Sequence, residues 1–123
     1  MQHADIRLDP DAIAALRALQ IPGRPSIVLR VFDLFESSTA KLLAELDQGL
    51  ASADLTRVTR AAHTLKSSSA NIGAIALAER AKAIEASGRE GNLDGCRAAT
   101  EGLHPLFDAT LAAVAALRCE EAA

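Results

Sequence analysis

Residues 27–46 of the chain read IVLRVFDLFESSTAKLLAEL, and their apolar side chains recur at intervals of three, four or seven residues. This spacing places them on one face of an α-helix. The predicted face consists of Ile27, Val31, Leu34, Phe35, Leu42 and Leu46. The segment predicts a long amphipathic helix that begins near Pro25 and ends at Gly49, where a glycine commonly terminates a helix.

Capping residues and glycines mark two helices on either side of this one. Asp9 and Pro10 predict the start of a first helix, which ends at the pair 22–23, Pro-Gly. Ser52 predicts the cap of a third helix, and Gly73 predicts its end. The inward face of this third helix is predicted to contain Leu55, Val58, Ala62, Leu65, Ser69 and Ile72.

The C-terminal third of the chain predicts two more helical segments. A fourth helix is expected to stop at Gly88, followed by a turn over residues 88–91. Asn92 is expected to cap a last long helix that contains Pro105. Because proline lacks a backbone N–H, we expect a kink there, with His104 packing at the kink or capping it.

The connections between these segments are short, so consecutive helices should pack antiparallel. No sustained alternation of apolar and polar residues predicts a strand. The sequence therefore predicts an all-α fold, an antiparallel up-and-down four-helix bundle with an additional N-terminal helix across one end. We expect one domain over residues 9–119, with a flexible N-terminus at 1–8 and a flexible tail at 120–123.

Composition excludes several classes of function. The 123 residues carry a formal net charge of −3, with 2% aromatic residues and neither Trp nor Tyr. Nucleic-acid binding is not expected, because basic clusters and stacking platforms are missing. Two distant cysteines indicate neither a disulfide framework nor a metal site. No signal peptide or membrane-spanning stretch is apparent, so we expect a cytoplasmic protein.

His63 is the most informative residue of the third helix. At roughly 100° per residue, it lies about 135° from the centre of the predicted inward face, and should project towards solvent. Residues three and four positions away share its surface, and these are Thr59, Arg60, Lys66 and Ser67. Lys66 is one turn on, close enough to stabilise a phosphoryl group, and the small Ser67 leaves the ring accessible. Packing against a neighbouring helix is the alternative reason for the small residues.

The run 62–74, AHTLKSSSANIGA, resembles the signature of histidine phosphotransfer (HPt) domains of bacterial and fungal phosphorelays. That signature has a histidine, a lysine three residues on, a small residue after the lysine, and a glycine ten residues after the histidine. Here these positions are His63, Lys66, Ser67 and Gly73. The resemblance extends over residues ~10–118, because the number, order and lengths of the helices also fit.

The resemblance implies a role for four residues. His63 would accept a phosphoryl group on its outer ring nitrogen, and Lys66 would assist electrostatically. Ser67 replaces the glycine that family members often carry, and it crowds the ring slightly more. A polar residue on the following helix contacts the inner ring nitrogen in the family. The matching position here is Glu85, for which an ordinary surface charge is the alternative.

The resemblance also implies the partners, which are receiver domains of response regulators or hybrid sensor kinases. Their docking surface is expected to include Ile13, Leu16, Ile27, Val28, Thr59 and Ala70, although the first four could equally be core residues. The chain itself is expected to be a monomer, either free-standing or the cytosolic part of a membrane-bound hybrid kinase. It carries no glycine-rich phosphate loop and no acidic Mg²⁺ cluster. It is therefore expected to use no ATP, to hold no cofactor and to act as a stoichiometric carrier rather than an enzyme, with Mg²⁺ on the receiver.

Four alternatives remain weaker. A receiver-binding regulatory module that works without phosphorylation would bind the same partners but take no phosphate on His63. A dimerisation domain of a sensor kinase would carry an acidic residue after the histidine, where this chain has Thr64. A metal site lacks a ligand three or four residues from His63. A hydrolase lacks an acidic residue to orient the histidine.

Overall fold

The structure, a computed structural model, describes residues 6–122 and contains six α-helices and no strand within them. The helices are α1 (Pro10–Arg17), α2 (Ile27–Ala51), α3 (Leu55–Asn71), α4 (Ile75–Arg89), α5 (Leu93–Thr100) and α6 (Leu103–Ala122). Helix α2 packs against α3 and α6, and α4 packs against the same two helices. These four helices form the predicted bundle, and α1 is the additional N-terminal helix.

The buried face of α2 differs from the predicted one. Its buried apolar residues are Val28, Phe32, Phe35, Leu43, Leu46 and Leu50. Leu34, which the prediction placed inside, is 61% exposed, while Ile27, Val31 and Leu42 are only partly buried. The sequence contains two overlapping apolar stripes about one residue apart, and α3 and α6 cover the second of them. The prediction was therefore correct for the helix and wrong for the centre of its inward face.

Helix α1 lies across the end of the bundle that contains the turn between α3 and α4. The Asp9 carboxylate accepts the N–H of Asp11 and caps α1, and the Asp9 N–H donates to the Gly73 carbonyl at 2.8 Å. At its other end, Arg17 pairs with Glu121 of α6. The helix ends at Arg17 rather than at Pro22.

Both chain ends pack more closely than expected where the structure describes them. Leu8 is buried and belongs to the core, and Ile6 packs against that core. Helix α6 continues to Ala122. The segments predicted to be flexible therefore include the buried Leu8 and, at 120–122, the last residues of α6, while residues 1–5 and 123 lie outside the described residues.

The cap of α3 is Asp54 rather than Ser52. The Asp54 carboxylate accepts the N–H of Arg57 at 3.1 Å, whereas Ser52 ends α2 and its hydroxyl donates to the Gln48 carbonyl. Both residues favour helix ends. Because the turn between the two helices has only a few residues, both candidate caps lie within it. The prediction selected the one two positions too early.

The predicted last helix is two helices. Asn92 caps α5 as expected, accepting the Gly95 N–H at 2.8 Å. The chain then breaks at Gly102, whose φ of +75° favours glycine, and α6 begins at Leu103. Pro105 lies in the first turn of α6, where its missing N–H costs no helical hydrogen bond. Pro105 therefore produces no kink, and His104 is exposed instead of packed.

None of the helices between residues 6 and 122 is long and apolar enough to cross a membrane.

Candidate functional site

His63 lies on the outer surface of α3. Its helix buries Val58, Ala62, Leu65 and Ser69 against the rest of the bundle, together with Ala61. The His63 side chain is 56% exposed. The ring therefore projects towards solvent, as the angular argument predicted.

The inner nitrogen of the His63 ring is held by a carboxylate of the next helix. Nδ1 lies 2.7 Å from Oε2 of Glu85 on α4. Glu85 is a buried charged residue, only 3% exposed, so it is not an ordinary surface charge. Nε2 makes no hydrogen bond to any residue from 6 to 122. One ring nitrogen is fixed by a buried acceptor, and the other is open to a partner.

Three cationic or donor groups surround the Glu85 carboxylate. Lys66 Nζ lies 2.7 Å from Oε1, and Arg89 Nη2 lies 2.7 Å from Oε2, the oxygen that also binds His63. The hydrogen bond from Lys66 lowers the pKa of Glu85, and the His63 hydrogen bond and the charge of Arg89 add to this against the opposing effect of burial. The carboxylate is therefore ionised at neutral pH.

An ionised acceptor on Nδ1 selects one tautomer of the neutral imidazole. A carboxylate can only accept, so Nδ1 carries the proton and Nε2 carries the lone pair. This is the arrangement of an activated nucleophile, in which one group reacts while a second orients it. The exposed nitrogen of His63 is the nucleophilic one.

The structure brings Lys66 to the histidine through Glu85. Lys66 and His63 bind the two different oxygens of one carboxylate, and the Lys66 side chain is 35% exposed. Ser67 is exposed, and its hydroxyl donates to the His63 carbonyl in a long contact of 3.4 Å. The hydroxyl is thus turned to the backbone, and Ser67 presents only a small side chain one turn from the ring.

Two site residues were missed by the sequence analysis. Arg89 was assigned to a turn, whereas it is the last residue of α4, four residues after Glu85. That spacing is typical of a helical ion pair and could have identified it. Gly88 was expected to end α4 but lies within it, packed against Thr59 of α3. No local pattern indicates that contact.

The predicted docking residues do not form one surface. Ile13 and Val28 are 2% and 1% exposed and belong to the core, which corrects the prediction for both. Leu16 and Ile27 are partly buried against that core. Thr59 is partly buried and Ala70 is exposed, about three turns apart on α3. The first two cannot contact a partner because the bundle covers them.

Two grooves adjoin these residues. One of about 480 Å³ lies beside the histidine ring, between α3 and the end of α4, and its lining includes Thr59, Arg60, His63, Gly88 and Arg89. The other, of about 390 Å³, lies between the segment after α1 and the start of α2, and its lining includes Leu19, Ile21, Ile27, Val31 and Leu34. Leu19, Ile21 and Leu34 are each more than 60% exposed. The second groove is accessible and mostly apolar, although Gln20, Arg24 and Arg30 also line it.

Within residues 6–122, no group of three or more His, Cys, Asp or Glu side chains could hold a metal ion.

Comparison with known protein families identifies the chain's family. The family model of the Hpt domain matches residues 30–117, which is more than half of the chain. The matched range contains His63, Lys66, Glu85 and Arg89 and begins within α2. No curated protein matches the chain.

Proposed function

Because the chain belongs to the Hpt domain family, the phosphocarriers of two-component phosphorelays, we propose that His63 accepts a phosphoryl group from a receiver aspartate. His63 then passes the group to the aspartate of a second receiver. The observation that carries this proposal is the 2.7 Å hydrogen bond between Nδ1 of the exposed His63 and the buried Glu85.

The chemistry needs no proton to leave the ring. The Nε2 lone pair forms a bond to phosphorus while the P–O bond of the aspartyl phosphate breaks, and the released carboxylate stays on the receiver. The phosphorylated ring keeps its proton on Nδ1 and carries a positive charge, which the adjacent Glu85 carboxylate offsets. In the onward step the N–P bond breaks and the neutral ring leaves, so the same geometry serves both directions.

Lys66 contributes positive charge beside the reacting nitrogen. In a loose, in-line phosphoryl transfer, positioning and neutralisation of the equatorial oxygens account for most of the catalysis. Lys66 is bound to Glu85 but remains about one-third exposed, so its ammonium group can also approach a phosphoryl group on Nε2. The receiver supplies the remaining groups, Mg²⁺ and the acceptor aspartate, and the chain itself turns over no ATP.

The receiver is proposed to dock on the apolar groove at the start of α2. This surface differs from the predicted docking surface, because the buried Ile13 and Val28 are not part of it. Its main exposed side chain is Leu34. Hpt domains pair with receivers, and transient contacts of this kind need only a modest interface.

Leu34→Ser should weaken receiver binding about tenfold, because it removes an exposed apolar side chain from the contact. Ile75→Ser, at a 54% exposed residue of α4 outside this groove, is the matched control. Equal affinities of the two variants in a binding titration would place the docking surface elsewhere.

The transfer itself is tested by mixing the protein with a receiver that carries labelled phosphate. The label should move to this chain as an acid-labile, base-stable adduct and should be absent from His63→Gln. His104→Gln, at the other exposed histidine of the described residues, should label like the wild type. Label that survives His63→Gln would refute the assignment. Receiver binding without any label would favour the regulatory module that acts without phosphorylation.

A further inference from the structure

Helices α3 and α4 contact each other closely at Gly88. A Cβ atom added to Gly88 would overlap the Thr59 hydroxyl oxygen and lie 3.2 Å from the Thr59 Cβ and 3.5 Å from its Cα. The first of these contacts is closer than real Cβ atoms come to a neighbour. Gly88 lies inside α4, where alanine would ordinarily be the more stable residue. The glycine therefore opposes helix propensity and permits the approach of the two helices.

This contact is adjacent to the site along the same interhelical seam. Thr59 is four residues before His63 on α3, and Gly88 is three residues after Glu85 on α4. Because the two helices are antiparallel, the Thr59–Gly88 contact and the His63–Glu85 hydrogen bond lie one turn apart on both helices. The separation of α3 and α4 at Gly88 consequently determines how far Glu85 reaches towards the ring.

We infer that Gly88 is a positioning residue for phosphoryl transfer, which holds α4 close enough to α3 for Glu85 to bind Nδ1 of His63. The inference rests on the proposed function. A larger residue at position 88 displaces α4 outward and lengthens the Nδ1–Oε2 contact. The ring then exchanges between its two tautomers, and the tautomer with the proton on Nε2 has no lone pair on that exposed nitrogen to attack phosphorus.

Gly88→Ala tests this, with the ¹⁵N chemical shifts of the His63 ring as the first readout. These shifts distinguish a single tautomer from an exchanging pair and need no receiver. In the wild type they should report the Nδ1–H tautomer, and in Gly88→Ala they should move towards an average. The rate of phosphoryl acceptance should fall about tenfold, as expected for a weakened hydrogen bond to a charged group.

Gly49→Ala is the matched control. Gly49 lies inside α2, and an added Cβ there would come within 2.8 Å of Val58 Cγ2 on α3. The substitution therefore forces apart a different pair of helices. It should lower stability while the His63 tautomer and the acceptance rate remain those of the wild type. The double variant Thr59→Ala/Gly88→Ala removes the overlapping hydroxyl and should recover most of both readouts.

The outcomes separate this inference from the proposed function. The inference about Gly88 would be overturned if Gly88→Ala kept the ¹⁵N shifts and the acceptance rate of the wild type. It would also be overturned if Gly49→Ala changed the tautomer equally, or if the double variant recovered neither readout. If the wild type accepts no phosphate but Gly88→Ala still changes the tautomer, the phosphocarrier proposal fails, whereas the part of the inference that Gly88 positions Glu85 against the ring is supported.

Discussion

Two histidines within residues 6–122 pair with carboxylates, and their side chains are almost equally exposed. His63 is 56% exposed and lies 2.7 Å from Glu85, and His104 is 57% exposed and lies 2.9 Å from Asp47. The carboxylates differ far more than the histidines do. The Glu85 side chain is 4% exposed and that of Asp47 is 51% exposed. The exposure of the ring therefore does not distinguish the two sites, whereas the burial of its partner does.

The two pairs also use different ring nitrogens. Asp47 binds Nε2 of His104, the outer nitrogen, and Glu85 binds Nδ1 of His63. A hydrogen bond between two exposed groups is easily exchanged for water. Glu85 is held between helices and is also bound by Lys66. Only the buried pair fixes the ring and leaves its outer nitrogen free, so anchoring of the partner makes one histidine a candidate nucleophile.

The largest expected effect on phosphoryl acceptance comes from removing the charge of Glu85, and removal of the charge of Asp47 is the comparison. Glu85→Gln keeps an acceptor for Nδ1 but loses the negative charge that offsets the phosphorylated ring. Because hydrogen bonds to charged groups are roughly twice as strong as neutral ones, phosphoryl acceptance should slow about tenfold. Asp47→Asn should leave it unchanged. Single-turnover transfer from a labelled receiver measures both rates. Equal rates in the two variants would mean that burial of the carboxylate does not functionally distinguish the His63–Glu85 pair from the His104–Asp47 pair.

The fold could be predicted to the extent that local signals determine it. Asp9 and Asn92 were assigned correctly because a cap acts on backbone groups within three residues. The inward face of α2 was wrong at Leu34, because only the packing of α3 and α6 selects between two adjacent apolar stripes. The break at Gly102 was missed because the apolar spacing continues across it.

The candidate site shows the same difference between what local spacing predicts and what packing between helices decides. His63 and Lys66 share a face of one helix, so their spacing alone placed them together. The contact with Glu85 depends on the register between α3 and α4, and only the family resemblance pointed to that residue. Gly88 contributes through a backbone approach that no residue pattern records. Contacts within a helix were predictable, and contacts between helices required the structure.

The contribution of the buried Glu85 to the stability of the fold should depend on pH. The pKa of Glu85 in the folded protein lies below its ordinary value of 4.5, chiefly because of the hydrogen bond from Lys66. The pairing of Glu85 therefore stabilises the fold fully above the ordinary pKa and is lost as the pH falls through the folded value. The free energy of unfolding of the wild type should exceed that of Glu85→Gln by roughly 1 kcal/mol at pH 7. That difference should shrink below about pH 4.5. Denaturant unfolding between pH 7 and 3 measures it, and a difference that grows on acidification would contradict the pairing.

The smallest expected effect concerns Arg89, which shares the Glu85 oxygen with His63. Its side chain is 65% exposed, so its ion pair should contribute about 0.5 kcal/mol or less. Arg89→Ala should slow phosphoryl acceptance about twofold, and the loss should disappear at high salt because exposed charges are screened. Lys82→Ala is the control, since Lys82 is exposed on the same helix and forms no ion pair with any described residue. A loss as large as that of Glu85→Gln would show that an exposed cation anchors the carboxylate. A small, salt-sensitive loss would assign the anchoring to burial and Lys66, the two features that Asp47 lacks.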